Sequence, residues 1–345
     1  MAHSVAPTDR GSEWLGLPTM PLLAELPLAL EVMLKAVVVV AAFLVLPLAL
    51  GQLEHKVMGH MQGRLGPMEA GPHGILQLVA DGIKFVQKED VTPAAADRWM
   101  FRLAPAVALV PYLVALAAIP WSATWVAADV PASLLFVLAA ASVGVIGTLM
   151  AGWGSGNKYS LLGGMRAGAQ LVSYELPMVL SAASVALAAG TLSLTGIVQE
   201  WSWWWLLWQA PAAFVFLAAA VAELQRTPFD APIADAEIVF GPLTEYTGLR
   251  FAFFLLAEYA GMVVMALLFT VLFLGGWRGP WGDVGWVGAL WTLVKATGVG
   301  VLFLWFRVAW PRVREDQLQR FAWLVLLPIA LAQLALTAVV VVMTS

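Results

Sequence analysis

The residues of this sequence with the clearest chemistry are carboxylates set in apolar surroundings. Glu175 lies inside a long apolar run, two positions before Pro177; Glu223 closes a second run, and Glu258 sits well within a third. An ionised side chain at the centre of a membrane helix costs roughly 2.5–3.5 kcal/mol, so each acid calls for a partner or a wet cavity. Pro177 removes a helix hydrogen bond and can open the backbone beside Glu175. The connection between the second and third runs, AELQRTPFDAPIADAEIVFGPLTEY, adds Asp230, Asp235, Glu237 and Glu245. Clustered carboxylates repel one another, which suits some of them to proton exchange near neutral pH. An acidic loop is ordinarily a solvated one. Here Phe229, Ile233, Ile238, Val239 and Phe240 are interleaved with the acids, which argues against a loop standing free in water.

A second concentration is basic. WPRVREDQLQR brings Arg312, Arg314 and Arg320 together with Asp316, and EHKVMGHMQGRLGP brings Glu54, His55, Lys56 and Arg64. Membrane topology alone accounts for basic residues at such places, but not for the acids beside them. Glu54 and Asp316 are expected to form buried ion pairs that give a polar rim to an apolar pocket. Lys295, in an apolar segment, reads either as a snorkelling lysine or as the partner of an intramembrane acid.

The elements that position these groups follow from composition. Of 345 residues 61% are hydrophobic and only 12% charged, so the chain must be solvated by lipid. A net charge of −4 gives no basic field for a nucleic-acid partner. With no cysteine there is neither a disulfide nor a cysteine-held iron–sulfur cluster, and His3, His55, His60 and His73 lack the spacing of a metal or haem site. No glycine fingerprint for a dinucleotide follows a strand.

A helix needs roughly 20 apolar residues to cross the hydrocarbon. The segments near Leu28–Leu50, Phe101–Pro120, Ala132–Gly152, Gly168–Ala189, Trp203–Glu223, Arg250–Gly275, Gly288–Trp310 and Phe321–Met343 qualify, predicting an all-α integral membrane protein of about eight transmembrane helices. It reads as a single membrane domain over 1–345, with a short extracytoplasmic N-terminus at 1–27 and large first and fifth-to-sixth connections. All Lys and Arg except Arg10, Lys35, Arg278 and Lys295 fall on the odd-numbered connections or adjoining helix ends, which places those connections in the cytoplasm. Tryptophans such as Trp121, Trp203, Trp204 and Trp281 form an aromatic belt on the opposite side. Between Gly74 and Glu89, Ile75, Leu78, Val79, Ile83 and Val86 form one stripe and Gln77, Asp81, Lys84 and Lys88 another, predicting an amphipathic surface helix. Leu162, Met165, Ala169 and Val172, against Arg166, Gln170 and Ser173, form a similar stripe leading into the fourth span.

The motifs EHKVMGHMQGRLGP, GPHGILQLVADGIKFVQKED, GWGSGNKYSLLGGMRAGAQLVSYELP, AELQRTPFDAP, TEYTGLRFAFFLLAEYAGM, LFLGGW and REDQLQRFAWLVLLP run in order along nearly the whole chain. Together they resemble the H subunit of bacterial NADH:quinone oxidoreductase, respiratory complex I, whose mitochondrial counterpart is subunit 1 of NADH dehydrogenase. The resemblance implies a multi-pass subunit of the bacterial cell membrane that forms, with peripheral-arm subunits, the chamber where a quinone approaches the terminal iron–sulfur cluster. It implies subunits B, D and I as peripheral partners and subunits A, J, K and the antiporter-like subunits in the membrane. FMN, iron–sulfur clusters and NADH would then belong to partners, with quinone and membrane lipid contacting this chain and no metal held by it. By the same resemblance Glu54, Glu175, Glu223, Asp235, Glu237 and Glu245 match acids of a hydrated path into the membrane arm, to which Asp230 and Glu258 are added. His55, Lys56, Arg64, Gly66, Pro67, Arg226, Phe229, Arg312, Arg314 and Asp316 are expected around the quinone.

The sequence also departs from the family pattern. His55 stands where the family has Arg, Met68 and Glu69 where it has Asn-Arg, and Glu315 where it has Tyr; a run of alternating glutamates becomes Ile233, Asp235 and Glu237. Two alternatives lead to different functions: a homologous complex with ferredoxin or hydrogen as donor, and a stand-alone proton-coupled transporter, for which broken helices fit but no inverted repeat is apparent.

Overall fold

The computed structural model describes residues 28–344, apart from the side chains of Asp235 and Ala236. The expected N-terminal segment 1–27 and the side chain of Asp235 therefore lie outside the described residues. The described chain is helical without a strand. Its long helices are α1 (Leu28–Met61), α3 (Arg98–Ala118), α4 (Ser133–Gly154), α5 (Lys158–Ala189), α10 (Gly248–Phe273), α11 (Gly285–Ala309) and α13 (Leu327–Thr344), with α2 (Gln77–Gln87) on the surface. Shorter pieces are α6 (Leu194–Glu200), α7 (Trp205–Trp208), α8 (Ala210–Glu223), α9 (Asp235–Ile238) and α12 (Glu315–Phe321).

Among the described residues seven helical segments are long and apolar enough to cross a membrane, the last running from Glu315 to Thr344 through a π-helical turn at Ala322–Leu326. The fifth expected span differs. It is broken at Gln209 into the single turn α7 and the 14-residue α8, about 21 Å long at 1.5 Å per residue. Pro211 explains the break, because a proline fits the first turn of a helix but not its interior. Two other helices overrun their apolar segments. α1 continues past Leu50 and carries Glu54, His55 and Lys56 on its last turns, and α5 begins at Lys158, so the Leu162–Val172 stripe belongs to the span itself.

Local chemistry sets the ends. Asp97 caps α3 by accepting from the amides of Trp99 and Met100 at 2.9 and 3.2 Å, and Asn157 caps α5 through Tyr159 N at 2.8 Å. Neighbours pack in the order α3 on α4, α4 on α5, and α5 on α8 and α13, while α10 packs against α3, α11 and α1. Small residues permit the closest of these approaches: a Cβ at Gly144 would meet the Tyr112 ring at 2.9 Å, and one at Gly147 would overlap the Ala108 backbone. α10 is the most buried span and α1 the least, its Val37, Val38, Leu44, Val45 and Leu48 all being exposed.

Polar side chains inside the bundle join helices at its tryptophan-rich end. Gln209 accepts from Ser184 at 3.1 Å and donates to Thr337 at 3.2 Å, and Gln333 donates to the Trp208 carbonyl at 2.8 Å. These bonds tie α13 to α5 at the point where the fifth span is broken. Lys295 is not paired with an acid. Its ammonium donates to the carbonyls of Leu274, Gly276 and Arg278 at 2.8, 2.9 and 2.6 Å, closing the C-terminal end of α10. Lys295→Met is expected to strand these acceptors and lower stability by about 1–3 kcal/mol, measured as a fall in unfolding temperature in detergent.

α2 is the surface helix that the periodicity predicts, with one difference of detail. Val79, Ile83 and Val86 are exposed on its outer face, whereas Leu78 turns inward to meet Gly51 of α1.

Candidate functional site

Four charged residues from three helices and one loop alternate in sign at one end of the bundle. Glu54 on α1 is 2% exposed and receives Arg226 at 2.7 Å on one oxygen and Arg307, from the last turn of α11, on the other. Arg226 is 5% exposed; its Nε lies 2.6 Å from Glu258 of α10, and its guanidinium lies over the Tyr259 ring at 4.8 Å. The row Arg307, Glu54, Arg226, Glu258 therefore carries no net charge, which makes its burial tolerable. Burial opposes the charge of Arg226, but Glu258 and Glu54 more than offset it and hold the guanidinium firmly protonated.

The fold delivers Arg226 here through the sharp exit from α8. Gln225 takes a φ of 52°, which is strained for a residue with a side chain, and the Thr227–Pro228 bond is cis. Gln170 of α5 clamps the turn, donating to the carbonyls of Ala222 and Phe229 at 2.5 and 2.7 Å. Phe229 is wedged between Tyr174 and Phe321, with ring centroids at 5.5 and 6.2 Å.

Glu258 and Glu223 both line a cavity of about 60 Å³. Tyr112, Thr148 and Phe254 line it as well. Glu223 is 5% exposed, and neither of its carboxylate oxygens has a hydrogen-bond partner among the described residues. Buried polar groups are normally satisfied, so an unpartnered carboxylate facing a cavity marks a place for water. Glu175 lies on α5 and accepts from Ser142 of α4 at 2.5 Å; Gly144, Val145 and Thr148 of the same α4 segment form one cavity wall.

The acids of the connection after α8 are arranged differently. Asp230 is held bidentately by Arg312 at 2.7 and 2.6 Å, and Glu245 accepts from Asn157 at 2.6 Å. Glu237, 52% exposed, pairs with Arg166 at 2.7 Å, and the same arginine reaches Glu315 at 3.1 Å. These contacts fasten the acidic connection to α5 and to the turn before α12.

The expected rim is only partly assembled. Glu54 forms the buried pairs foreseen for it, but Asp316 does not: it makes a local, exposed pair with Arg314 at 3.1 Å, since both lie on the open first turn of α12. Arg64 is likewise exposed and bonded to Gln62 at 2.9 Å. Lys56 donates to the Pro67 carbonyl at 2.5 Å and lies 3.2 Å from Met68 Sδ, while Gly66 packs against the His55 carbonyl. His55 Nδ1 is buried without a partner among the described residues. Arg307, Tyr259, Tyr112 and Ser142 were not singled out by sequence reasoning. Arg307 had a signal, a basic residue in an apolar segment, but topology absorbed it; the two tyrosines and the serine had none.

A family profile described as NADH dehydrogenase matches residues 34–338, nearly the whole chain. The chain belongs to this family. Among its relatives, the H subunit of the NADH-quinone oxidoreductase of Geobacillus kaustophilus is 50% identical over 290 residues, covering 83% of this chain and 87% of that one. The protein of the same description from Bacillus cereus is 51% identical over the same shares. The chain is thus a membrane subunit of an NADH-quinone oxidoreductase, an enzyme assembled from several polypeptides. Ile233 lines the cavity with Glu223 and Glu258, and Glu315 supplies a second carboxylate to Arg166.

Proposed function

We propose that this subunit forms part of a quinone chamber with peripheral subunits of the complex and couples quinone reduction to proton translocation through its inner carboxylates. The observation that carries the reading is the unpartnered, buried carboxylate of Glu223, which lines, together with Glu258, a cavity large enough for water. A buried acid with neither cation nor donor has no structural use that offsets its desolvation.

On this reading the quinone headgroup approaches the end of the bundle bearing Glu54, His55, Lys56 and the Arg312–Arg314 turn. Reduction takes up electrons from a partner and protons from the site, changing the local charge. Glu54 feels that change and shifts its hold on Arg226, which alters how tightly Arg226 pairs with Glu258. Glu258 then exchanges a proton with Glu223 through cavity water, and Glu175, bonded to Ser142, passes the change towards neighbouring membrane subunits. NADH, flavin and iron–sulfur centres act on those partners.

Glu175→Gln keeps shape and removes a titratable group. In the intact complex in proteoliposomes it is expected to lower proton pumping at least about tenfold, with Ser142→Ala intermediate because one charge-assisted hydrogen bond is lost. Pumping at the normal rate in Glu175→Gln would remove the proposal.

A further inference from the structure

Besides Glu223 and Glu258, the lining of the inner cavity carries three further polar side chains: Tyr112 of α3, Thr148 of α4 and Gln225 at the exit from α8. Two of them are hydroxyls that depart from the habit of this bundle. Tyr174 and Tyr246, the other buried tyrosines, each donate to a backbone carbonyl, of Leu318 and Phe101, at 3.0 Å. Tyr112 is 6% exposed, and its hydroxyl has no partner among the described residues. Hydroxyls within helices commonly bond the carbonyl four residues before them. Thr270, Thr292 and Thr337 do so at 2.8, 3.2 and 2.9 Å. Thr148 does not, and its hydroxyl too has no partner among the described residues.

The Tyr112 ring is held in a slot made by two glycines. A Cβ at Gly144 would come within 2.9 Å of the ring and 3.0 Å of the hydroxyl, and one at Gly261 within 3.1 Å of the ring. The position of the hydroxyl is thereby fixed by α4 and α10, the helices that carry Thr148 and Glu258. A buried polar group without a protein partner takes its bond from water. A cavity needs roughly 10–15 Å³ and a few polar partners to hold one water, so about 60 Å³ with this lining takes a small cluster. A hydroxyl both accepts and donates, so it takes a proton on its oxygen from one neighbour and releases its own to the next. We infer that the Tyr112 and Thr148 hydroxyls are relay positions that hold the cavity water in a file, along which Glu223 and Glu258 exchange protons. In each passage one carboxylic acid loses a proton and one carboxylate gains it, while hydroxyls and waters end as they began. The inference rests on the proton-path reading above and names the groups that join its two inner acids.

The test uses the intact complex in proteoliposomes, with proton translocation normalised to complex abundance on native gels. Tyr112→Phe keeps the ring in its slot and breaks no bond to the described residues, so assembly should be normal. Translocation should fall at least about tenfold, the worth of a hydrogen bond to a charged group. Thr148 separates relay from packing. Thr148→Val keeps the shape and removes the hydroxyl, whereas Thr148→Ser keeps the hydroxyl and removes a methyl group. Translocation should fall about threefold or more in Thr148→Val, and Thr148→Ser should recover most of that loss. Normal translocation in Tyr112→Phe or in Thr148→Val overturns the inference, as does a fall in Thr148→Ser as deep as that in Thr148→Val. If Tyr112→Phe does not assemble, the Thr148 pair decides alone. Failure of the parent reading is separately visible, because Glu175→Gln would then pump normally as well.

Discussion

Replacing Arg226 by methionine is expected to leave little assembled, active complex. The substitution keeps the stem that packs in the bundle but strands the buried carboxylate of Glu54 beside the partly buried one of Glu258. Breaking a buried pair by removing one partner costs about 3–5 kcal/mol, a large part of the stability of a marginally stable protein. Arg307 remains on Glu54, so the greater injury falls on Glu258, for which no second cation is found among the described residues. Arg226→Lys should be intermediate. Its charge survives, but an ammonium on a flexible stem lacks the planar fork that meets Glu54 and Glu258 at once and lies over Tyr259. Adding Glu258→Gln to Arg226→Met should recover part of the loss, the non-additivity expected of groups in contact. Complex abundance on native gels and the rate of NADH-dependent quinone reduction measure all three. Normal abundance and turnover in Arg226→Met would show that the charge row is dispensable.

Glu223→Gln is expected to separate assembly from coupling. The carboxylate has no ion partner and no hydrogen-bond donor among the described residues, so its replacement by an amide of the same shape breaks no contact. A buried amide is cheaper to desolvate than a buried charge. Thermal stability should therefore stay within about 1 kcal/mol or rise slightly. Proton translocation should fall at least about tenfold, because the amide cannot bind and release a proton near neutral pH. A pH-sensitive dye in proteoliposomes reads the pumping, and scanning calorimetry reads the stability. A variant that pumps normally would place Glu223 outside the path; one that fails to assemble would make it a structural residue.

The class of fold was legible in the sequence because lipid imposes it. A segment of about 20 apolar residues has no stable conformation in hydrocarbon other than one that pairs its own backbone, so composition alone led to helices. The membership of the family was legible too, from motifs such as EHKVMGHMQGRLGP and AELQRTPFDAP. The acids Glu175, Glu223 and Glu258 stood out for the same reason as the helices, since charge inside an apolar run is expensive and therefore noticeable.

What each charge touches was not legible. Lys295 looked like a candidate partner for an acid, yet it closes the end of α10, because that end comes within reach of its ammonium only after α11 folds back on α10. Arg226 appeared as one member of a turn, and packing alone set it between Glu54 and Glu258, 172 and 32 positions away along the chain. Asp316 and Glu54 looked alike, and their burial separates them. The sequence by itself determined the medium in which the chain dissolves, the helices and the stock of proton-binding groups, because these follow from transfer free energies that act residue by residue. Only the tertiary structure decided which acid is neutralised and which is left facing a cavity, because electrostatic partnership depends on distances of a few ångströms between segments that are remote in the chain.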